Sequence, residues 1–233
     1  MTGLFITAAL YWHAEARSEH PALRTGVQDS AAAAVKVTFI GESLCPDCAA
    51  FTADVLDPIY SSDLKEFVDL DYVGWGNAKN NSGTIECQHG RRECKLNKAL
   101  NCAQHKSRNQ EDFFIFLLCL EKTAFSSTDD EVLETCSSHA KLDEKSLRQC
   151  MDGKLGEELE VKANLATPAH QYVPWILVDG VPLAADCGNL ATYVCLAYKG
   201  KKPQLCSEPQ PFHVCPGAPS TPRAGLKSGS ASR

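Results

Sequence analysis

Two cysteines separated by two residues, Cys45 and Cys48, are the residues of this chain best suited to redox chemistry. A pair at this spacing can close into a small disulfide ring and reopen as a dithiol. The thiolate of one cysteine attacks a disulfide in another molecule, and the second cysteine then releases the reduced product. The spacing therefore predicts a thiol–disulfide exchange site. A structural disulfide, or half of a zinc site, is the alternative for the same pair.

The segments on either side of this pair have the patterns of a strand and a helix. Residues 35–40 alternate β-branched and aromatic residues with polar ones, which is the period of a strand. Residues 49–56 have a helical pattern, and Pro46 suits the first turn of a helix because its missing N–H is not needed there. We expect Asp57 and Pro58 to end this helix.

Cys45 is the expected nucleophile because it lies at the predicted helix N-terminus. Unpaired N–H groups and the positive end of the helix dipole favour a thiolate at that position. The sulfur of Cys45 is also expected to be more exposed than that of Cys48. The carboxylate of Asp47 lies between them and opposes the thiolate.

Composition limits the class of protein and its compartment. The 233 residues carry a formal net charge of −6, which argues against nucleic acid as a main partner, and twelve cysteines, which favour an oxidising compartment. We interpret 1–34 as a signal peptide and linker, although no basic residue precedes its apolar run. An N-glycosylation sequon on Asn80 agrees with secretion. No later apolar run is long enough to span a membrane.

The middle of the chain is predicted to be helical and rich in disulfides. A second strand at 67–73 leads into a polar loop that carries Asn80. Helical patterns then cover the segments 93–106, 111–122, 129–140, 143–151 and 156–166. Disulfides are expected to pin these helices together through Cys94, Cys102, Cys119, Cys136 and Cys150. The pairing of the ten cysteines outside the first motif does not follow from the sequence.

Strand patterns return near the end of the chain. Residues 172–178 form a strand pattern, and Asp179-Gly180 predicts a hairpin before a last helix. The order of these elements predicts the α/β class and a thioredoxin-like fold, with a disulfide-rich helical insertion between the second strand and the hairpin. In such folds a cis proline faces the dithiol, so we expect Val173–Pro174 to be cis and to contact substrate. A trans proline in an edge strand is the alternative.

The predicted domain boundaries follow from this order. The thioredoxin-like domain spans 35–206, with its helical insertion at about 85–166. The chain beyond 206 is rich in Pro, Gly, Ser and Lys, and we expect it to be disordered.

A second motif begins the helical region, with fixed gaps between its residues. It consists of Cys87, Gln88, His89, Gly90, Glu93, Cys94, Asn97 and Cys102. This motif resembles the signature of the gamma-interferon-inducible lysosomal thiol reductases and departs from it nowhere, and the resemblance extends over about 35–206. Its cysteines and histidine are also suitable zinc ligands. We favour a structural role, in which disulfides clamp the helical region, and a direct catalytic role for His89 is a further alternative.

The resemblance implies a reductase of the endocytic and lysosomal pathway. It would reduce disulfides of unfolded or endocytosed proteins at acidic pH, with Cys45 and Cys48 as catalytic residues. A small thiol or a protein reductant would restore the dithiol, and neither a cofactor nor a metal is expected. The expected location is a lysosome or vacuole, or the outside of the cell.

Two other functions fit the same residues. A disulfide isomerase or oxidase of the secretory pathway would use the same dithiol with a different reduction potential. A disulfide-rich secreted binding protein would instead carry Cys45–Cys48 as a structural bridge, which would resist mild reductant and alkylation.

Overall fold

The computed structural model describes residues 32–208 and 214–218, so the proposed signal peptide lies almost wholly outside the described residues. The strands are β1 Val35–Gly41, β2 Val68–Gly74, β3 Lys79–Asn81, β4 Thr84–Glu86, β5 Trp175–Val178 and β6 Val181–Pro182. Four of them form one mixed sheet in the order β2-β1-β5-β6, and β3 pairs with β4. β1 is parallel to β2 and antiparallel to β5. The carboxyl ends of β1 and β2 therefore lie at the same edge of the sheet.

Eight α-helices accompany the strands of the described chain, and five of them lie between β4 and β5. They are α1 Pro46–Phe51, α2 Asp57–Tyr60, α3 Arg91–Lys106, α4 Gln110–Thr123, α5 Asp129–His139, α6 Glu144–Asp152, α7 Lys154–Ala166 and α8 Leu190–Ala197. The five predicted helical segments are confirmed, with ends that differ by a few residues. In the part of the chain that the structure describes, no helix is long and apolar enough to cross a membrane.

The helix after the dithiol continues further than predicted. A π-helical turn, Thr52–Leu56, joins α1 to α2, and the backbone N–H of Asp57 donates to the carbonyl of Thr52. Pro58 lies just after this turn, at the start of α2. The prediction that Asp57 and Pro58 end the helix is therefore wrong.

The predicted polar loop after β2 contains a short hairpin. β3 and β4 pair antiparallel, with Asn80 opposite Ile85. The side chain of Asn80 is exposed, and its Oδ1 accepts a hydrogen bond of 2.9 Å from the N–H of Gly83. The sequon therefore lies at an accessible hairpin tip. The sequence missed this hairpin because its strands are three residues long and polar.

Side-chain amides of α3 hydrogen-bond to the backbone of β2 at the edge of the sheet. Asn101 accepts from the N–H of Gly74 and donates to its carbonyl, both at 2.9 Å. Gln104 does the same for Tyr72, at 2.7 and 3.1 Å. Asn101 precedes Gln104 on α3, whereas its partner Gly74 follows the partner of Gln104 on β2. The two elements are therefore antiparallel. The first turns of α3 consequently extend past the carboxyl ends of β1 and β2.

Aromatic contacts in the core fix the dithiol helix against the sheet. The ring of Phe39 on β1 contacts those of Phe51 on α1 and Tyr72 on β2, each at a centroid distance of 5.0 Å. All three side chains are buried. Edge-to-face pairs of this kind add to the free energy of burial, so they hold α1 in one position on the sheet.

The twelve cysteines are all described, and ten of them form five disulfides. The pairs are Cys87–Cys94, Cys102–Cys150, Cys119–Cys136, Cys187–Cys215 and Cys195–Cys206. The second pair joins α3 to α6 and the third joins α4 to α5, which confirms that disulfides pin the helices together. Cys45 and Cys48 are free thiols.

The described part of the C-terminal segment does not match the predicted disordered tail. Cys215 is buried and bonded to Cys187, and the N–H of Ala218 donates to the carbonyl of Cys215 at 3.3 Å. For residues 214–218 the prediction is therefore wrong, because a disulfide holds a segment whose composition alone predicts disorder. The domain boundaries proposed from the sequence stay a prediction.

Candidate active site

The dithiol lies at the N-terminus of α1, as the spacing predicts. Cys45 is the N-cap residue, and its Sγ accepts a hydrogen bond of 3.4 Å from the backbone N–H of Cys48. Cys45 retains 6% of its exposed surface, whereas Cys48 retains none. Cys45 is therefore the more exposed of the two cysteines, as expected. Its exposed fraction is nevertheless smaller than a position at a helix N-terminus suggests.

The surroundings of the two thiols shift their pKa values in opposite directions. The side chain of Cys48 donates to Cys45 and lowers the pKa of Cys45, and the backbone N–H groups of Cys48 and Asp47 add to this. Burial and the charge of Glu42 act against it. Burial raises the pKa of Cys48. Cys45 is thus the thiol that ionises first, while Cys48 holds its proton.

Glu42, which the sequence did not single out, is an acidic side chain whose charge opposes the Cys45 thiolate. Glu42 is fully buried between β1 and the dithiol, and burial raises its pKa. The backbone N–H of Asn77 donates to its carboxylate at 2.6 Å. Asp47 assists the thiolate through its backbone N–H. The sequence pointed to Asp47 because it lies within the motif, whereas burial of Glu42 depends on the loop that carries Asn77.

The start of α3 holds the loop that leads into the dithiol. The Oδ1 of Asn97 accepts hydrogen bonds from the backbone N–H of Ser43 at 2.7 Å and from its hydroxyl at 2.8 Å. The same hydroxyl donates to the carbonyl of Glu93 at 3.2 Å. Leu44 has a φ of 63°, a strained value for a residue with a branched side chain. Asn97 thus fixes a strained turn immediately before Cys45.

We expect Asn97→Ala to lower both the free energy of unfolding and the reductase activity. The substitution leaves the buried N–H of Ser43 without an acceptor, which costs about 1–3 kcal/mol. It also frees the turn before Cys45, for which we expect a loss of about tenfold in kcat/KM. Urea unfolding and steady-state kinetics measure the two effects.

Asn101→Ala is the matched control for this substitution. Asn101 lies one turn further along α3 and also hydrogen-bonds to buried backbone, but at Gly74 rather than at the dithiol loop. We expect a similar loss of stability with kcat/KM retained. Equal losses of activity in both variants would show that Asn97 acts only through stability.

The peptide bond between Val173 and Pro174 is cis, as predicted. β5 begins one residue later, at Trp175, which pairs with Ile40 near the end of β1. This register brings Val173 and Pro174 to the same end of the sheet as Cys45. The strand starts later than predicted because the backbone turns at the cis bond.

A cavity of about 440 Å³ lies between the dithiol and this loop. Its walls include Cys45, Pro46 and Asp47 on one side and Gln171, Tyr172 and Val173 on the other. The predicted substrate residue Val173 therefore shares a cavity with Cys45. Pro174 is buried beneath it and is not part of the wall.

The signature motif encloses the same cavity. Gln88 and His89 line it, and Gly90, with a φ of 85°, turns the chain into α3. The Nδ1 of His89 lies 2.8 Å from the Oε2 of Glu93 and 3.7 Å from the Oε1 of Glu42. Gln88 accepts a hydrogen bond of 2.6 Å from Asn77. The motif thus supplies both structural links and polar side chains beside the dithiol.

The cysteines of this motif are not available as the thiolate ligands that a zinc site would need. Cys87 is bonded to Cys94, and Cys102 is bonded to Cys150 on α6. Glu42, His89 and Glu93 bring one polar atom each within 4.8 Å of one another. The carboxylates already accept protein hydrogen bonds that a cation would displace, so we assign the three as a hydrogen-bonded charge network rather than a metal centre.

Glu121 on α4 is a buried carboxyl that no sequence pattern singles out. Its side chain is 1% exposed, and neither carboxyl oxygen has a hydrogen-bond partner among the described residues. Burial raises its pKa, with further contributions from Cys45 and Glu42. Its charge also raises the pKa of Cys48. An unpaired carboxyl therefore lies close enough to both thiols to interact with them.

Comparisons with known proteins agree with this architecture. The family model described as gamma interferon inducible lysosomal thiol reductase matches residues 36–140. The gamma-interferon-responsive lysosomal thiol protein of Arabidopsis thaliana is 34% identical, covering 74% of this chain and 76% of that protein. The gamma-interferon-inducible lysosomal thiol reductase of Mus musculus is 34% identical, covering 78% and 76%.

A solved structure supports the fold independently of the sequence. The reduced form of the disulfide bond oxidoreductase DsbG from Mycobacterium tuberculosis superposes with a TM-score of 0.54 at 18% identity, covering 74% of this chain and 82% of that one. The predicted thioredoxin-like fold is confirmed. Because two relatives are 34% identical to it with 76% of their length covered, the chain belongs to the gamma interferon inducible lysosomal thiol reductase family.

Proposed function

We propose that this chain reduces disulfide bonds of unfolded or endocytosed proteins at acidic pH, with Cys45 as nucleophile and Cys48 as resolving thiol. One observation carries the proposal. Of twelve cysteines, only the pair at the N-terminus of α1 is free, and its first member borders an open cavity. Membership of a thiol reductase family agrees with this chemistry.

Reduction proceeds in two exchange steps. The Cys45 thiolate attacks one sulfur of the substrate disulfide, forming a mixed disulfide and releasing the other sulfur with the electron pair of the broken bond. Cys48 then loses its proton and attacks the Sγ of Cys45, which releases the second substrate thiol. The substrate gains two electrons, and the dithiol becomes a disulfide. A small thiol or a protein reductant restores Cys45 and Cys48.

The charges around Cys45 favour work in acid. A lowered pKa leaves more Cys45 as thiolate at acidic pH than an ordinary thiol would retain. Burial raises the pKa of Glu42, so on acidification this carboxylate becomes neutral earlier than an ordinary glutamate. Its repulsion of the thiolate then disappears. Acid therefore removes a charge that opposes the nucleophile.

The cavity fits an extended polypeptide better than a specific side chain. Tyr172 and Val173 line the same cavity as Cys45, and backbone pairing recognises a chain without reading its sequence. Val173 and Pro174 are the proposed substrate-binding residues, Val173 as part of the cavity wall and the buried Pro174 through the cis bond that precedes it. An unfolded protein exposes such extended segments around its disulfides.

Five disulfides and an exposed sequon support a location in the secretory and endocytic pathway. Relatives of this chain carry the word lysosomal in their names. We infer a lysosome or vacuole as the destination, with secretion as the other outcome of the same route, and glycosylation at Asn80.

Reduction of a denatured, disulfide-bonded protein at about pH 5 and about pH 7.4 tests this function. The control contains the small thiol at the same concentration without the enzyme. Its rate of disulfide reduction falls in acid because less of the small thiol is ionised. We expect the acceleration by the enzyme to be larger at pH 5. Alkylation after mild reduction, mapped by mass spectrometry, should label Cys45 first.

The binding-protein alternative predicts the opposite result. No acceleration at either pH, together with resistance of Cys45 to alkylation, would make the pair structural. A reduction potential close to those of oxidases would instead favour the isomerase or oxidase.

A further inference from the structure

Two buried carboxylates of the active site face a single imidazole. Glu42 and Glu93 have no exposed surface, and both lie within 4.0 Å of the Nδ1 of His89. Over the described chain, neither carboxylate has a lysine or arginine at that distance. Their other partners are the neutral amides of Asn77 and Asn97 and the backbone N–H groups of residues 77 and 89.

His89 is the ionisable side chain placed to compensate these buried carboxylates. A buried carboxylate is costly unless an opposite charge or several hydrogen bonds compensate it. Burial and the charge of Glu93 raise the pKa of Glu42, so Glu42 becomes neutral at a higher pH than an ordinary glutamate. Glu93 lies closer to the ring, with its Oε2 2.8 Å from the Nδ1 of His89.

Neither carboxylate holds the other nitrogen of the ring, Nε2. Within 32–208 and 214–218, the Nε2 of His89 has no hydrogen-bond partner, because both carboxylates lie at Nδ1. The side chain of His89 is 30% exposed, so it can exchange protons with water. His89 and Cys45 line the same cavity, together with Asp47. A substrate disulfide at Cys45 therefore enters the cavity that His89 borders.

We propose that His89 is a further catalytic residue, whose Nε2 donates a proton to the sulfur that leaves the substrate disulfide when Cys45 attacks. This inference rests on the proposed reductase function and assigns a role to the signature motif within it. Glu93 and Glu42 are positioning residues, since they orient the ring through Nδ1.

The step balances without any further reactant. The thiolate of Cys45 forms a bond to one substrate sulfur, and the substrate sulfur–sulfur bond breaks. Its electron pair stays on the departing sulfur, which takes the proton from Nε2 and leaves as a neutral thiol. His89 becomes neutral and regains a proton from water at the cavity mouth. General acids placed in this way accelerate reactions by about 10²–10⁴-fold.

The test compares two leaving groups on one peptide. A cysteine peptide is linked by a disulfide either to nitrothiobenzoate, which leaves as a stable anion, or to mercaptoethanol, which leaves as a basic alkyl thiolate. Single-turnover rates of the reduced full chain are measured at about pH 5 for wild type and His89→Gln. Glutamine keeps a hydrogen-bond donor for Glu93 but has no proton to give.

We expect His89→Gln to lose about 100-fold in rate with the alkyl disulfide and less than about threefold with the aromatic one. His105→Gln, at an exposed position near the end of α3, should match wild type with both. Glu93→Gln should reproduce the selective loss in weaker form, because it removes the charge that holds the imidazolium.

Three outcomes would overturn the assignment. Equal losses with both peptides would mean that His89 supports the fold or the Cys45 thiolate rather than the leaving sulfur. An unchanged rate with both would mean that solvent supplies the proton. Protection of Cys45 from alkylation by added Zn²⁺ in wild type but not in His89→Gln would make the cluster a cation site. Inactive wild type with both peptides would instead refute the reductase function itself.

Discussion

We expect Cys45→Ser to lower disulfide reduction to the uncatalysed level and Cys48→Ser to stop the reaction at the mixed disulfide. The first variant lacks the thiol whose pKa is lowered and which borders the cavity. The second retains that nucleophile but has no buried thiol to attack the Sγ of Cys45. Non-reducing gels and intact-mass spectrometry should show one substrate molecule bound per Cys48→Ser chain. Product release then depends on external thiol.

A disulfide far from the cavity is the control for these variants. A double serine variant that removes Cys195–Cys206 replaces two other cysteines and leaves the dithiol intact. We expect this variant to retain activity and to trap no substrate. A mixed disulfide that accumulates on Cys45→Ser instead of Cys48→Ser would reverse the assigned roles.

The free energy of unfolding should fall as the pH rises from about 4.5, and Glu121→Gln should remove a large part of this fall. Burial without a hydrogen-bond partner raises the pKa of Glu121 above its usual 4.5. Between the unfolded and the folded pKa, the folded state holds a proton that the unfolded state has lost. That proton makes its full contribution to the free energy of unfolding below the unfolded pKa. Between the two pKa values the contribution declines by about 1.4 kcal/mol per pH unit for one group.

Urea unfolding between pH 4.5 and 8, with the disulfides intact, measures this slope. Glu42 has the same sign of shift, so a smaller decline should remain in Glu121→Gln. Glu134→Gln, at an exposed position on α5, should leave the slope of wild type unchanged. If Glu121→Gln also leaves the slope unchanged, the pKa of Glu121 is the same in the folded and the unfolded state. The ionised carboxylate would then be compensated by a partner in the folded protein.

The sequence predicted the elements of the site because their signals are local. The motif of Cys45 and Cys48 follows from spacing, and the strand before it follows from its alternating pattern. The cis bond at Pro174 follows from the fold that these elements predict. The helical region was predicted for the same reason. The family signature singled out His89 as a motif residue, but it did not predict that the side chain of His89 lines the cavity beside Cys45.

The features that the sequence missed depend on contacts between distant segments. Glu42 is buried because Asn77, thirty-five positions later, donates to its carboxylate. Glu121 lies close to the dithiol because α4 packs against α1, the helix that begins at the dithiol. Pro58 looked like a helix stop because a π-turn upstream has no distinctive composition. The disulfide pairing, including that of Cys215, follows from the tertiary fold alone.

The amide side chains of α3 along β2 have a consequence for an enzyme whose proposed substrates are unfolded. A bare strand edge offers rows of free N–H and C=O groups, to which a partly unfolded chain adds as a further strand and seeds aggregation. Asn101 and Gln104 occupy these groups at Gly74 and Tyr72 of β2. At the opposite edge, β6 is two residues long and ends in Pro182. Both edges of the sheet are thus poor templates for the extended chains that we propose as substrates.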